Sequence, residues 1–312
     1  MIKGIETRPA LRTLVERQLA LWPEHATYLS RSFADRSDAV LDVSEHVSGL
    51  ILKLAGHEKG GLDSLCRDYR YLCEEITLPE ELYFRRNGAY RLSSFADAFK
   101  NVYGNKVFMS RYMAGLLVSD VLWSPHAHAF EYYVNKYLPG LPAGCDHLEI
   151  GPGHGLFLHF AARHASIGKV VGWDISPASV AATQSALDVL GTHRKVEVRL
   201  QDLFAKDRAS GQFGSVVLSE ILEHLEDPVA ALRSVYDVLR PGGWLWINVP
   251  ANSPAPDHLY LLRTPEEACD LARSAGFEVT DHAFYPMTGT TLEKARKHSL
   301  SISCIVTARR PL

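Results

Sequence analysis

The sequence predicts an α/β protein in two parts: a helical front domain over about residues 1–140, and a mostly parallel sheet with helical crossovers over 141–312. Three observations predict it. From residue 144 onward, short apolar runs alternate with amphipathic ones, the strand–helix–strand order that builds a parallel sheet. The first of these strands, over 146–150, runs into a loop with glycine at every second position, and a helix opens at about Leu156. The length of 312 residues is also more than one hydrophobic core usually serves.

In the front domain, apolar residues at helical intervals predict helices over 10–22 and 38–54, the second carried by Leu41, Val47, Leu50, Ile51 and Leu54. Gly60-Gly61 breaks the pattern and 62–76 resumes it. Asn87-Gly88 is a turn signal, so a small hairpin is expected within 78–92. Helices follow over 93–102, 105–122 and 125–138, and a Pro/Gly-rich linker over 139–144 leads into the first strand. Eight aromatic residues fall between Tyr103 and Tyr137, with the hydroxyl of Tyr112 and the amide of Asn135 among them.

The stretch His147-Leu148-Glu149-Ile150-Gly151-Pro152-Gly153-His154-Gly155 is the most informative of the chain. Its glycines can take backbone angles that a Cβ disfavours, and they admit a ligand close to the main chain. The helix N-terminus behind them offers free N–H groups. Such a unit forms a nucleotide-binding crevice at the carboxyl end of a parallel sheet. A dinucleotide fingerprint would read G-x-G-x-x-G. Here the third glycine comes one residue early and an acid, Glu149, stands two residues before the first. The pattern resembles the E/D-x-G-x-G-x-G motif of class I S-adenosylmethionine (SAM) dependent methyltransferases, whose loop wraps the methionine and ribose part of SAM. The resemblance implies cofactor contacts at Glu149, Gly151, Gly153 and Gly155.

Later motifs arrive in the family's order. A second strand over 169–174 ends in Asp174, 19 residues after Gly155. An acid there can accept both ribose hydroxyls, and the resemblance places Ile175 against the adenine. Pro177 starts a helix that Gly191 stops. A third strand over 196–200 leads to Asp202 and Leu203, which the resemblance sets beside the adenine. A buried fourth strand over 213–218 ends at Ser219, also assigned to the cofactor, and opens the run S-E-I-L-E-H-L-E-D-P. A helix over 229–239, a Pro241-Gly242-Gly243 turn, a fifth strand over 244–249, a helix over 264–275, a strand over 277–284, a helix over 288–298 and a last strand over 300–308 complete the chain. The resemblance covers about residues 144–310. It implies a Rossmann-like class I methyltransferase fold, a seven-stranded mostly parallel sheet with an N-terminal helical lid domain.

Polar candidates for chemistry follow the fourth strand, where ligands of open α/β sheets meet the strand ends. Glu220, Glu223 and His224 stand at i, i+3 and i+4, one side of a helical turn. Glu220 and His224 are read as catalytic, His224 as a base near neutral pH; Tyr112 and Asn135 complete the catalytic candidates. The E-x-x-E-H spacing also resembles a divalent-metal site of some O-methyltransferases, with His258 as a further ligand. Many family members carry E-H-L without metal, so no metal is expected. The three prolines of 250–256 suit either a substrate pocket wall or a rigid crossover. The aromatic segment before the first strand reads either as core and homodimer packing or as a lid over the sulfonium cation.

Composition excludes other classes. Net charge is −3 with 22% charged residues and no basic stripe, against nucleic acid as partner. No 18-residue apolar run and no signal-peptide core is present, so neither membrane nor export is expected. Five scattered cysteines suit reduced thiols in the cytoplasm. The expected function is methyl transfer to a small metabolite of secondary metabolism. The alternative is a SAM cyclase, in which the amine of SAM displaces methylthioadenosine from its own γ-carbon to give azetidine-2-carboxylate.

Overall fold

A computed structural model of the chain describes residues 2–206 and 210–312. The chain folds as two compact units. One comprises Met1–Glu131 with Asn252–Leu261 and Tyr285–Ile302; the other comprises Tyr132–Ala251, Leu262–Phe284 and Ser303–Leu312.

The first unit is built on α1 (Pro9–Leu21), α2 (Ala26–Ala34), α3 (Asp38–Ala55), α4 (Gly61–Tyr71), α5 (Leu78–Asn87), α6 (Phe95–Ala98), α7 (Lys106–Leu122) and α8 (Ser124–Tyr132), the last shared with the second unit. The Glu45 carboxylate of α3 accepts from Ala10 N (3.0 Å) and Leu11 N (2.7 Å), satisfying free donors at the start of α1. Arg36, fully buried, bonds Ser32 O, Ser44 Oγ and Val121 O, which ties α3 and α7 to the end of α2. Residues 78–92 hold helix α5 and not the expected hairpin. Gly88 takes φ 66° and its N–H returns to Phe84 O at 2.8 Å, so Asn87-Gly88 ends a helix instead of turning two strands. α2 was not expected; it buries Leu29, Ser32 and Phe33 alone, too short a stripe to stand out. Wider π-helical turns occupy Leu72–Thr77 and Phe99–Tyr103 here, and Tyr133–Tyr137 in the second unit.

The second unit continues through α9 (Leu138–Gly140) into β1 (Cys145–Ile150), α10 (Leu156–Arg163), β2 (Ile167–Asp174), α11 (Pro177–Leu190), β3 (Val196–Leu200), β4 (Phe213–Ser219), α12 (Pro228–Val238), β5 (Leu239–Ala251), α13 (Glu266–Ser274), β6 (Glu278–Pro286) and β7 (Ile302–Arg309), with α14 (Leu292–Lys297) placed before β7 in the first unit. The strands form one seven-stranded sheet in the order β3-β2-β1-β4-β5-β7-β6. The pairs β1–β2, β1–β4, β2–β3 and β4–β5 are parallel. β7 runs against β5, since Ser303 bonds Asn248 while Arg310 N bonds Gly243 O. It also runs against β6, since Thr280 bonds Thr307 O while Met287 N bonds Ser301 O. This is the Rossmann-like class I methyltransferase sheet. Val216, Val217, Leu218, Leu245, Trp246 and Ile247 are fully buried, as central strands covered on both faces must be. β5 begins earlier than expected because the β4 ladder jumps from Phe213↔Leu239 to Ser215↔Trp244, leaving 240–243 outside it as a bulge. The strand order reverses between β1 and β4, the switch point where such sheets take their ligand.

Candidate functional site

The glycine loop follows β1 at that switch point. Gly151, Gly153 and Gly155 have φ of 64°, 50° and 71°, a run that side chains rarely tolerate. A Cβ on Gly151 would lie 2.3 Å from Ile221 Cδ1, so a larger residue there would have to push that side chain aside. Gly151 N extends the β1–β2 ladder to Trp173 O (2.8 Å), and Thr183 of α11 donates to Gly153 O (2.7 Å). The loop is thus anchored from β2 and α11. Glu149, 2% exposed, accepts from Leu158 N at the start of α10, while its Oε2 has no partner among the described residues. Burial pushes this carboxyl well above the usual range. A cation brought to the loop would satisfy it.

The other proposed cofactor residues line the neighbouring strand ends. Gln201 N bonds Asp174 O at 2.9 Å, bringing the loops after β2 and β3 side by side. Asp174 is half-buried; its Oδ1 accepts from Ser176 N (2.8 Å), and burial raises its carboxyl. Ile175 beside it is 59% exposed, an apolar face with no protein covering. Asp202 Oδ1 accepts from Phe204 N (2.8 Å), and Leu203 is buried behind it. An orphaned buried carboxylate oxygen, a left-handed glycine run, a strand-end acid and a bare isoleucine together fit SAM, which carries an ammonium, a sulfonium, a ribose and a purine.

A second group gathers at the ends of β4 and β5. Glu220, Glu223 and His224 do not share one helical turn, as the spacing suggested. Only Leu222–His224 forms a 3₁₀ turn, and Glu220 takes φ 53°, a strained angle for a residue with a Cβ. The Glu220 carboxyl faces Glu223 and the amide of Asn248. Glu220 is half-buried as a residue, but its carboxyl is enclosed, and burial lifts it to about 7. His224 Nε2 lies 3.7 Å from the fully buried Glu223 carboxyl. Ser219 Oγ accepts from Asn248 Nδ2 (3.2 Å), and Ser303 Oγ donates to Asn248 Oδ1 (2.8 Å). Sequence reasoning missed Asn248 and Ser303. Their signal was a polar residue inside an otherwise apolar buried strand.

The aromatic segment divides. Tyr112 belongs to the first unit; its OH donates to Asp257 Oδ1, and Tyr103 OH donates to Oδ2, both at 3.1 Å. Tyr132, Tyr133 and Tyr137 are buried within the second unit. Tyr132 donates to Asp281 (2.5 Å); Tyr133 bonds His147 Nε2 (3.0 Å); Tyr137 bonds Ser215 Oγ (2.7 Å), which also bonds His147 Nδ1 (3.0 Å). Burial holds His147 down at about 3, hence neutral. Asn135 is exposed on the π-helical turn.

A family model described as a methyltransferase domain matches residues 148–245, which span the glycine loop, both strand-end acids and the Glu220 turn. A ubiquinone biosynthesis O-methyltransferase of Ruegeria pomeroyi is 28% identical over 194 residues, 54% of this chain and 75% of that one. Another, of Xanthomonas axonopodis pv. citri, is 34% identical over 117 residues, 36% of this chain and 46% of the relative, so the chain spans about half of its length. The solved phosphoethanolamine N-methyltransferase 2 of Haemonchus contortus, in complex with SAM, matches with a TM-score of 0.53 at 15% identity over 71% of this chain and 61% of that one, a likeness of fold. No helix among the described residues is long and apolar enough to cross a membrane. With its glycine loop, its strand-end acids and its sheet order in agreement, the chain carries a SAM-dependent methyltransferase domain over the matched residues, and SAM is its cofactor.

Proposed function

We propose that the chain methylates a hydroxyl of a small metabolite in secondary metabolism, with Glu220 as the base. The observation that carries this is Glu220: its backbone is strained, and its carboxyl is enclosed beside Glu223 and Asn248 and lifted by burial to about 7. A hydroxyl must lose its proton as its oxygen is alkylated, and a base poised near neutral pH suits that task. Bound SAM supplies a methyl carbon already activated on a sulfonium. Glu220 takes the acceptor proton, and the Glu220–Glu223 pair retains it between two carboxyls. His224, 3.7 Å from the Glu223 carboxyl, is proposed to orient that carboxyl. Glu149 and Asp174 hold the cofactor by its cationic and ribose ends. Tyr112 secures the loop over 252–261 through Asp257, and Asn135 is proposed to contact the acceptor. The names of the relatives in ubiquinone biosynthesis support an oxygen acceptor. Five free cysteines support a reducing, cytoplasmic setting.

The test is turnover of a panel of catechols and monohydroxy aromatics with SAM, comparing the wild-type chain with Glu220→Gln. The variant should lose about 10²–10⁴-fold in rate, the usual contribution of a positioned base, while its affinity for SAM stays within threefold. Equal rates for the two proteins on every accepted hydroxyl would remove Glu220 from the role.

A further inference from the structure

We propose that Ser303, acting through Asn248, is a positioning residue that keeps Glu220 able to ionise. The inference rests on the reading of Glu220 as the base. Three adjacent strands bring the parts together at one level of the sheet. β4 ends in Ser219 and Glu220, β5 places Asn248 opposite Ser219, and β7 brings Ser303 to the far side of Asn248. Asn248 is 3% exposed and Ser303 is 5% exposed, each among apolar neighbours: Ile247 and Val249 on β5, Ile302 and Cys304 on β7. A buried amide in such a run is costly unless every bond is made.

The bonds are directional. The Ser303 hydroxyl donates to Asn248 Oδ1 at 2.8 Å, which commits the oxygen of the amide to β7. Its NH₂ therefore faces β4, where it reaches Ser219 Oγ at 3.2 Å and the Glu220 carboxyl. An N–H donor favours the ionised carboxylate; an amide turned over would present an oxygen and favour the protonated acid. The Ser303 hydroxyl is the bond that holds Oδ1 on the β7 side among the described residues. Ser303 does not touch the acceptor, yet it selects the face of Asn248 that Glu220 meets. Within the sheet unit, the other titratable groups around Glu220 are Glu223 with His224 beside it and Cys304 of β7, with Cys269 and Glu266 of α13 beyond Cys304. The Ser303 hydroxyl itself is spent on Asn248 Oδ1.

The experiment compares wild type, Ser303→Ala, Ser303→Thr and Glu220→Gln. Two readouts are taken on each: the pH profile of methyl transfer to the best catechol of the panel, and the titration of the Glu220 carboxyl by infrared difference spectroscopy. The Glu220→Gln protein identifies that carboxyl in the spectra. Ser303→Ala should move the Glu220 midpoint up by roughly 0.5–1 pH unit, the size of one lost hydrogen bond. Rates below the midpoint should fall roughly three- to tenfold, as that movement requires, with the alkaline plateau kept. Ser303→Thr, which keeps the hydroxyl, should restore both. An unmoved infrared midpoint in Ser303→Ala overturns the proposal, and so does a loss that is equal at every pH and shared by Ser303→Thr. If the infrared midpoint moves but Glu220→Gln retains wild-type rates, Ser303 still sets the Glu220 charge and the base assignment is what fails.

Discussion

Replacing Glu220 by Gln should make the apo chain more stable at alkaline pH while removing its activity. Burial lifts the Glu220 carboxyl from an ordinary 4.5 to about 7. Its folded-state value lies above its unfolded one, so the stability associated with the neutral acid is fully present below pH 4.5. It is lost as the pH rises through about 7, because the folded chain must then hold a buried charge or a proton that the unfolded chain releases. Each pH unit that separates the two values is worth about 1.4 kcal/mol, so the penalty approaches about 3 kcal/mol at pH 8. Gln has the same shape, can accept from Asn248, can donate to Glu223, and cannot ionise. Urea unfolding at pH 4.5, 6, 7 and 8 measures the difference. The variant should match wild type near pH 4.5 and gain progressively, reaching about 1–3 kcal/mol at pH 8. Equal stability of the two proteins at every pH would refute the picture of an enclosed carboxyl held near neutrality. A gain confined to acid pH would reverse its sign and refute it as well.

Asp174→Ala should weaken SAM binding by about 1.5–3 kcal/mol through loss of charged hydrogen bonds, measured by calorimetry; unchanged affinity would free that acid from the cofactor. His147 is held at about 3, below its unfolded 6.5, so the unfolded chain takes up the proton first and the stability of the wild type falls with acid. The stability advantage of wild type over His147→Gln should therefore shrink by about 1.4 kcal/mol per pH unit from 6.5 toward 4; a constant gap in chemical denaturation would show that His147 is not held neutral. Methyl transfer should survive EDTA, and loss of turnover restored by Mg²⁺ would recast Glu220, Glu223 and His224 as ligands.

The parts of the site legible in the sequence are those made by consecutive residues. Glycine at 151, 153 and 155 announces its φ values because little else tolerates them, and Asp174 is marked by the strand it ends. The parts that were not legible depend on distant pairings or on signals with two meanings. Asn87-Gly88 suits both a hairpin and a helix end, and only the packing of α5 decides. The i, i+3, i+4 spacing of Glu220, Glu223 and His224 assumed helical backbone, whereas strain at Glu220 brings two of the three together by another route. Asn248 and Ser303 lie 55 residues apart and meet only because β7 inserts between β5 and β6. The loop over 252–261 belongs to the helical unit, where Tyr103 and Tyr112 both grip Asp257, a pairing that no local pattern announces.

On the proposed function, SAM gives its methyl group to a separate hydroxyl. The most direct test is to incubate the purified chain with SAM, alone and with the hydroxyl panel, and to identify every product by mass spectrometry. Methyl transfer should give S-adenosylhomocysteine together with a methylated acceptor, in equal amounts, and no turnover with SAM alone. Methylthioadenosine and azetidine-2-carboxylate formed from SAM alone, above the uncatalysed rate, would contradict it and assign the site to self-cyclisation of SAM.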